Sequence, residues 1–242
     1  MTSPRRRRIS RRGATLLASA AAVLTIVAVG GLFALRVAEG PSALDLAWID
    51  ELRENPGPWF ELPSRLLDFL GGGWAGVLVI PLALAAAFLV ARRPIAALTF
   101  VTASAASALV VQAVKLLADR DRPLEALLQL ESASFPSGHV ANAATMAVLL
   151  TLLVRRWSVG IAGAIWVVAM AFARTYLGVH WLTDTLAGAI VGAGVAVFVW
   201  ALWAPRLQHE SRRHPAARGE APQSGARRGG GAVAQESRRG SG

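Results

Sequence analysis

The sequence predicts an all-α, polytopic membrane protein with six transmembrane helices. Of its 242 residues, 54% are hydrophobic. The apolar residues form runs of about the 20 residues that a helix needs to cross a bilayer. Short arginine clusters separate several of these runs, and such clusters are typical of cytoplasmic loops.

The predicted elements follow in chain order. A basic arm, residues 1–12, precedes a first span at residues 13–37. A cleaved signal peptide is the alternative, but this run is longer than the 7–15 apolar residues typical of one. Residues 38–70, with seven acidic side chains and four prolines, form a predicted extracytoplasmic loop with short helical turns. Five further spans, at about 71–91, 94–117, 139–154, 158–176 and 180–203, make up a core over residues 71–204, and the polar tail, 205–242, is predicted to be disordered.

The net charge of +10 lies entirely in the two ends of the chain. Residues 1–12 carry six arginines, and residues 205–242 carry eight arginines against three glutamates. Six spans put both ends, Arg92-Arg93 and Arg155-Arg156 on one side, which the positive-inside rule makes the cytoplasm. The charge therefore indicates a multi-pass plasma membrane protein that attracts anionic lipid, and it does not indicate nucleic-acid binding. The sequence has no cysteine, which excludes disulfides and cysteine metal sites.

Three polar clusters interrupt the apolar sequence, at residues 115–123, 135–139 and 174–184. A charge at the centre of a membrane helix costs about 2.5–3.5 kcal/mol on insertion scales, so such residues are candidates for function. The predicted topology places all three clusters at outer ends of spans. They are therefore expected to meet at one depth, on the extracytoplasmic side.

The residue types in these clusters suit the chemistry of a phosphoryl group. His180 and Asp184 are four residues apart at a helix start, so the carboxylate can orient the imidazole. Ser137 and Gly138 open a helix, where backbone N–H groups bind anions. Three further cations lie in the clusters, namely Lys115, Arg122 and Arg174. Two histidines, His139 and His180, can divide nucleophilic attack from protonation of the leaving group.

The motifs Lys115-x6-Arg122-Pro123, Pro136-Ser137-Gly138-His139 and Arg174-x5-His180-x3-Asp184 resemble the three signatures of the type 2 phosphatidic acid phosphatase (PAP2) family, which shares its site with vanadium haloperoxidases. The resemblance covers about residues 70–203 and implies a PAP2-like helical core. It implies a phosphatase that uses no metal and no other cofactor.

The resemblance also implies a role for each matching residue. His180 is the expected nucleophile that forms a phosphohistidine, Asp184 orients it, and His139 is the general acid for the leaving group. The expected phosphate-binding groups are Lys115, Arg122, Ser137, the N–H of Gly138, and Arg174. One position departs from the family: Ala173 stands where a serine usually precedes the arginine, and we expect weaker support for Arg174.

For the substrate, the resemblance implies a membrane lipid phosphate. We favour a polyprenyl diphosphate, such as the undecaprenyl or decaprenyl carriers of cell-wall synthesis, because an outward site is where a carrier is released after delivering its sugar. Phosphatidate and phosphatidylglycerol phosphate are the alternatives. A haloperoxidase is disfavoured by the membrane spans. A non-enzymatic protein that binds or transports a lipid headgroup is the alternative of another class.

Two further interpretations concern residues outside these motifs. Asp119, Arg120 and Asp121 look like a solvated charge run, and we assign them no role. Gly188 and Gly192 lie four residues apart in the last span, a spacing typical of close helix packing.

Overall fold

The computed structural model describes residues 40–54, 57–123 and 133–213, together with Ser19 and Gly30. The first predicted span, the basic arm and the tail beyond residue 213 lie outside the described residues, apart from Ser19 and Gly30, which are helical. The described residues form seven α-helices: α1 (Ala43–Glu54), α2 (Glu61–Gly71), α3 (Ile80–Val90), α4 (Pro94–Ala118), α5 (Gly138–Val154), α6 (Trp157–Tyr176) and α7 (Leu182–Arg213). A 3₁₀ turn, Pro58–Phe60, precedes α2, and a π-helical turn, Ala75–Val79, precedes α3.

Three of these helices, α4, α6 and α7, are long and apolar enough to cross a membrane. Residues 58–71 and 75–90 form two helical segments with a bend of 52° between them. Counted together as one broken span, they are a fourth candidate. Helix α5 is apolar but has only 17 residues. The helical membrane protein is thus confirmed, and its helix bounds lie close to the predicted spans. The count of six stays a prediction.

The predicted loop at residues 38–70 is more regular than its prolines indicated, since it holds α1 and all of α2 except its last residue, Gly71. Helix α1 begins with a reciprocal cap. The main-chain N–H of Asp45 donates to Ser42 Oγ at 3.2 Å, and the N–H of Ser42 donates to Asp45 Oδ2 at 3.0 Å. This arrangement satisfies donors that a helix start leaves unpaired, and it explains why a helix forms in a polar segment.

The chain is still helical after residue 205, where the disordered tail was predicted to begin, because α7 continues through Pro205 to Arg213. Leu207 and Glu210 lie buried along this extension. Glu210 accepts hydrogen bonds from the main-chain N–H groups of Ile95, at 2.6 Å, and Ala96, at 3.3 Å. The carboxylate thereby caps the start of α4, and this tertiary contact gives the polar extension a reason to stay helical.

Helix α5 is the centre of the fold and packs most extensively on α7 and α6. A Cβ at Gly188 would meet the main-chain oxygen of Ser137 at 2.5 Å, and a Cβ at Gly192 would collide with that of Ala141. Only glycine allows the two backbones to approach so closely, so the predicted packing role of both glycines is confirmed. The close approach brings the first turns of α5 and α7 together.

Candidate active site

The three predicted clusters meet at the ends of four helices. Lys115 lies in the last turn of α4, Arg174 in the last turn of α6, and Asp184 in the first turn of α7. Ser137 occupies the N-cap position of α5, immediately before Gly138 and His139. Arg122 follows α4, and His180 lies in the short connection between α6 and α7.

Main-chain hydrogen bonds hold these clusters against one another. The N–H of Ser137 donates to the main-chain oxygen of Asp184 at 3.0 Å. Arg122 Nη1 donates to the oxygen of Val179, directly before His180. Lys115 Nζ and Arg122 Nη2 both reach the oxygen of Ala133. Each cluster is therefore fixed to another, and residues up to about 70 positions apart in sequence form one site.

The paired residues of the third motif are close but not hydrogen-bonded. His180 Nδ1 lies 3.6 Å from Asp184 Oδ2, a distance longer than a hydrogen bond. The Asp184 carboxylate instead accepts from the N–H of Trp181, at 2.9 Å, and from Arg120. Both His180 and Asp184 are almost completely buried. The carboxylate is thus rigidly held within ion-pair distance of the imidazole.

The surroundings of His180 favour its neutral form. Burial lowers the pKa of His180 well below its usual range, and the positive charges of Arg174, Arg122 and Lys115 lower it further. A neutral imidazole has a nitrogen lone pair free for attack, which an imidazolium has not. The same three cations that keep His180 neutral supply positive charge for an anionic ligand.

Three buried polar atoms at this site have no hydrogen-bond partner among the described residues. They are Ser137 Oγ, Arg174 Nε and His180 Nδ1. Ser137 stands at the N-cap position of α5, yet its hydroxyl does not cap the helix. Buried polar groups are normally paired, because an unpaired one costs about 1–3 kcal/mol. Their concentration here marks a site built for a polar ligand.

Sequence reasoning missed Arg120, which is not solvated but only 6% exposed. Its Nη1 donates to Thr183 Oγ1 at 2.9 Å and to Asp184 Oδ1, and its Nη2 donates to Asp45 Oδ2 at 3.0 Å. Asp45, fully buried, also accepts from the N–H and the hydroxyl of Thr183, each at 2.9 Å. The alternating charges around Arg120 concealed this role, and the Ser42-x-x-Asp45 cap was the one local signal at Asp45.

Sequence reasoning also missed Asp68, near the end of α2. Its Oδ1 accepts from Arg174 Nη1 and lies 3.1 Å from His139 Nε2. The main-chain oxygen of Asp68 is also 3.1 Å from His139 Nε2. The only signal in the sequence was an acidic residue three positions before Gly71, where a span was predicted to start.

A cavity of about 220 Å³ adjoins the site on the side of His139. One wall is a face of α4, from Ser104 through Gln112 to Lys115, and the opposite wall includes Gly72 and Asn142. The wall residues of α4 recur every three or four positions from Ser104 to Lys115 and so lie on one face, and the cavity follows this helix away from the polar site. It provides space for a group larger than a phosphate.

These features define a class of protein: a helical membrane protein whose buried site gathers two histidines, a carboxylate and three cations for an anionic ligand. Residues 96–208 match the model of the PAP2 superfamily. All eight predicted site residues lie in this range, whereas Asp45 and Asp68 do not. Over these residues the chain matches the PAP2 superfamily, and the resemblance drawn from the motifs is confirmed.

Similar proteins include two curated phosphatases and one solved structure. The chain is 40% identical over 63 residues to an undecaprenyl-diphosphatase of Sulfolobus acidocaldarius, covering 26% of this chain and 30% of the relative. It is 40% identical over 58 residues to a lipid A 4'-phosphatase of Bacteroides thetaiotaomicron, covering 24% and 26%. The chain therefore aligns with less than a third of either relative.

The structural match is more extensive. The solved structure is described as the first transmembrane PAP2 type phosphatidylglycerolphosphate phosphatase from Bacillus subtilis. The two chains superpose with a TM-score of 0.61 at 25% identity, covering 76% of this chain and 94% of the other. The fold of the described helices is thus that of a membrane PAP2 protein.

Proposed function

We propose that the chain is an integral membrane lipid phosphatase that acts at the extracytoplasmic face through a phosphohistidine on His180. One observation carries the proposal: three motifs that are distant in sequence come together around a buried His180 with three cations nearby, and burial and these cations lower its pKa. Transfer of a phosphoryl group depends mainly on positioning and electrostatic stabilisation, which this arrangement supplies. The positive-inside pattern supports an outward-facing site and two cytoplasmic termini.

In the first half-reaction, Nε2 of His180 attacks phosphorus while Nδ1 faces Asp184. A P–N bond forms as the bond from phosphorus to the leaving oxygen breaks, and the electron pair stays on that oxygen. His139 gives this oxygen a proton. Lys115, Arg122, Arg174 and the start of α5 hold the remaining phosphate oxygens as their charge spreads.

In the second half-reaction, water replaces the lipid. His139, now neutral, takes a proton from the water as its oxygen attacks phosphorus. The P–N bond breaks, its electron pair returns to His180, and inorganic phosphate is released. Both histidines end in their starting protonation states, and every step uses groups of this chain alone.

For the substrate, we propose a polyprenyl diphosphate. The cavity beside His139 is where the leaving group belongs, since His139 protonates it. A cation and an amide, Lys115 and Gln112, lie one helical turn apart on its wall and suit a leaving group that is itself a phosphate. The name of the Sulfolobus relative, an undecaprenyl-diphosphatase, supports the same choice.

A phosphatidate or phosphatidylglycerol phosphate is the second candidate. The observation in its favour is the structural match to a phosphatidylglycerolphosphate phosphatase, which covers far more of this chain than either curated relative. Here the leaving group is a glycerolipid: uncharged diacylglycerol from phosphatidate, or anionic phosphatidylglycerol from phosphatidylglycerol phosphate. The mechanism is the same, and only the occupant of the cavity differs.

The test is phosphate release by the purified protein in detergent micelles, from undecaprenyl diphosphate and from phosphatidate, with EDTA present. We expect the wild type to release phosphate from the diphosphate faster. The variant His180→Ala should release none from either lipid. His209→Ala is a matched control, because His209 is exposed near the far end of α7, and it should retain full activity.

Three outcomes contradict parts of the proposal. A preference for phosphatidate rejects the polyprenyl substrate and leaves the mechanism standing. Inhibition by EDTA rejects the metal-independent reaction. If the folded wild type releases no phosphate, and the wild type and His180→Ala retain lipid equally well, the result favours a lipid-headgroup binding or transport protein.

A further inference from the structure

His139 is held by a second carboxylate that no motif contains. Asp68 contacts its Nε2 twice, through Oδ1 and through the main-chain oxygen, each at 3.1 Å. Asp68 lies on α2, outside the part of the chain that matches the PAP2 family model. The arrangement places a carboxylate beside His139, as Asp184 is placed beside His180.

The backbone of this region is shaped to bring Asp68 to the imidazole. A Cβ at Gly72 would overlap the Nε2 and Cε1 edge of the His139 ring, so only glycine lets the end of α2 approach it. The N–H of Gly72 donates to the same main-chain oxygen of Asp68, at 3.2 Å. This oxygen belongs to the last turn of α2, where the helix dipole is negative and favours a nearby cation.

We propose that Asp68 is the positioning residue of the general acid: it accepts the Nε2 proton of His139, so that Nδ1 carries the proton given to the leaving oxygen. This inference rests on the proposed phosphatase function. A hydrogen bond at one imidazole nitrogen decides which tautomer the other nitrogen presents. The proton therefore moves from Nδ1 to the leaving oxygen, and the Nε2 proton stays on the ring, bound to Asp68.

The charges around His139 explain why it needs this support. Lys115, Arg122 and Arg174 are gathered at the same site, and their positive charges disfavour an imidazolium. A general acid has to be protonated when the leaving group departs. The Asp68 carboxylate offsets this repulsion. Because Asp68 also binds Arg174 Nη1, one side chain fixes both the acid and a phosphate-binding group, while Arg174 Nε stays available for a phosphate oxygen.

The test compares substrates whose leaving groups differ in their need for a proton. A phosphate ester of an alkyl alcohol needs a proton on its departing oxygen, whereas p-nitrophenolate departs without one. We expect Asp68→Asn to lower kcat on phosphatidate by about 10²-fold, the lower end of the usual contribution of general acid catalysis. The kcat of this variant on undecaprenyl diphosphate, which has a more acidic leaving group, should fall less. The variant should hydrolyse p-nitrophenyl phosphate almost as fast as the wild type does. Asp68→Glu should restore part of the loss.

A double variant distinguishes an effect of Asp68 that acts through His139 from any other effect of Asp68. In a His139→Ala background, Asp68→Asn should cost almost nothing further, because residues that act as one unit are not additive. Asp50→Asn, at an exposed acid of α1, is the matched control and should leave all rates unchanged.

Two results would overturn the inference. Equal losses on all three substrates would mean that Asp68 only supports the fold. A lower KM and stronger inhibition by inorganic phosphate, with kcat unchanged, would mean that Asp68 competes with phosphate for Arg174. A wild type inactive on every substrate would instead reject the proposed function itself.

Discussion

Arg120 forms a buried ion pair with Asp184, the carboxylate that faces the predicted nucleophile. The guanidinium also binds Asp45 on α1, so it joins two buried carboxylates that lie 139 positions apart in the sequence. Its guanidinium carbon lies 5.5 Å from the centre of the Trp181 ring, a cation–π distance. Helix α1 thereby helps to hold the residue that is predicted to orient His180.

Replacing Arg120 by glutamine would leave Asp45 and Asp184 without their shared cation. We expect the free energy of unfolding to fall by about 3 kcal/mol, because removing one partner of a buried pair leaves an uncompensated charge. We also expect a lower kcat with little change in KM, since Asp184 would lose its fixed position. Thermal unfolding and steady-state kinetics in one detergent would measure both. Arg65→Gln, in an exposed pair with Glu61, is the control, and an Arg120→Gln variant as stable as this control would contradict the prediction.

The lowered pKa of His180 predicts the pH dependence of the reaction. The nucleophile is active when neutral, so activity is present above its pKa and lost as the pH falls through it. Because burial and nearby cations lower this pKa, we expect kcat/KM to hold as the pH drops past about 6.5, the usual value for histidine. Removing a cation with Arg122→Gln should raise this pKa and move the acid limb to higher pH. A wild-type acid limb at or above 6.5 would refute the prediction.

Gly192 should be sensitive to a single added carbon. A Cβ there would collide with the main-chain oxygen of Ala141, and overpacking of this kind costs about 1–3 kcal/mol. Gly192→Ala should therefore lower the Tm of the protein in detergent. Gly160→Ala is the matched control, because a Cβ at Gly160 finds its nearest atom at 3.4 Å and alanine favours the helix. Equal changes in Tm for the two variants would show that α5 and α7 are not closely packed.

Single cysteines can test the topology directly, because the chain has none of its own. Trp59, before α2, and Trp157, at the start of α6, are 81% and 80% exposed. In intact cells we expect a membrane-impermeant maleimide to label Trp59→Cys. It should label Trp157→Cys only after the cells are permeabilised. The reverse pattern would place the site on the cytoplasmic side.

The helices and the three clusters could be predicted because their signals are local. The pair Arg92-Arg93 predicts that α4 begins at Pro94, and the length of the apolar run predicts that α6 ends at Tyr176. The structure agrees with both predictions to within about one residue. Each motif also carries its own residues at fixed spacing. The predicted topology places these helix ends on one side of the membrane. It therefore also predicts that Lys115, His139 and His180 lie close together.

The residues that support the site could not be predicted, because their partners are distant in sequence. Asp68 and Arg174 are separated by 106 positions, and Asp45 and Arg120 by 75. No periodicity or spacing connects such pairs. Burial of Arg120 depends on α1, which lies in a segment predicted to be a loop. The extension of α7 depends on the contact of Glu210 with the start of α4.

The cap that Glu210 places on α4 has a consequence for the response of the protein to its lipids. It joins the start of α4 to the end of α7, while Arg120, two residues after α4, binds Asp184 at the start of α7. A helix that does not match the thickness of its bilayer tilts. Because these two helices are joined at both ends, we expect them to tilt as one body and to keep the separation of Lys115 from Asp184 constant in membranes of different thickness.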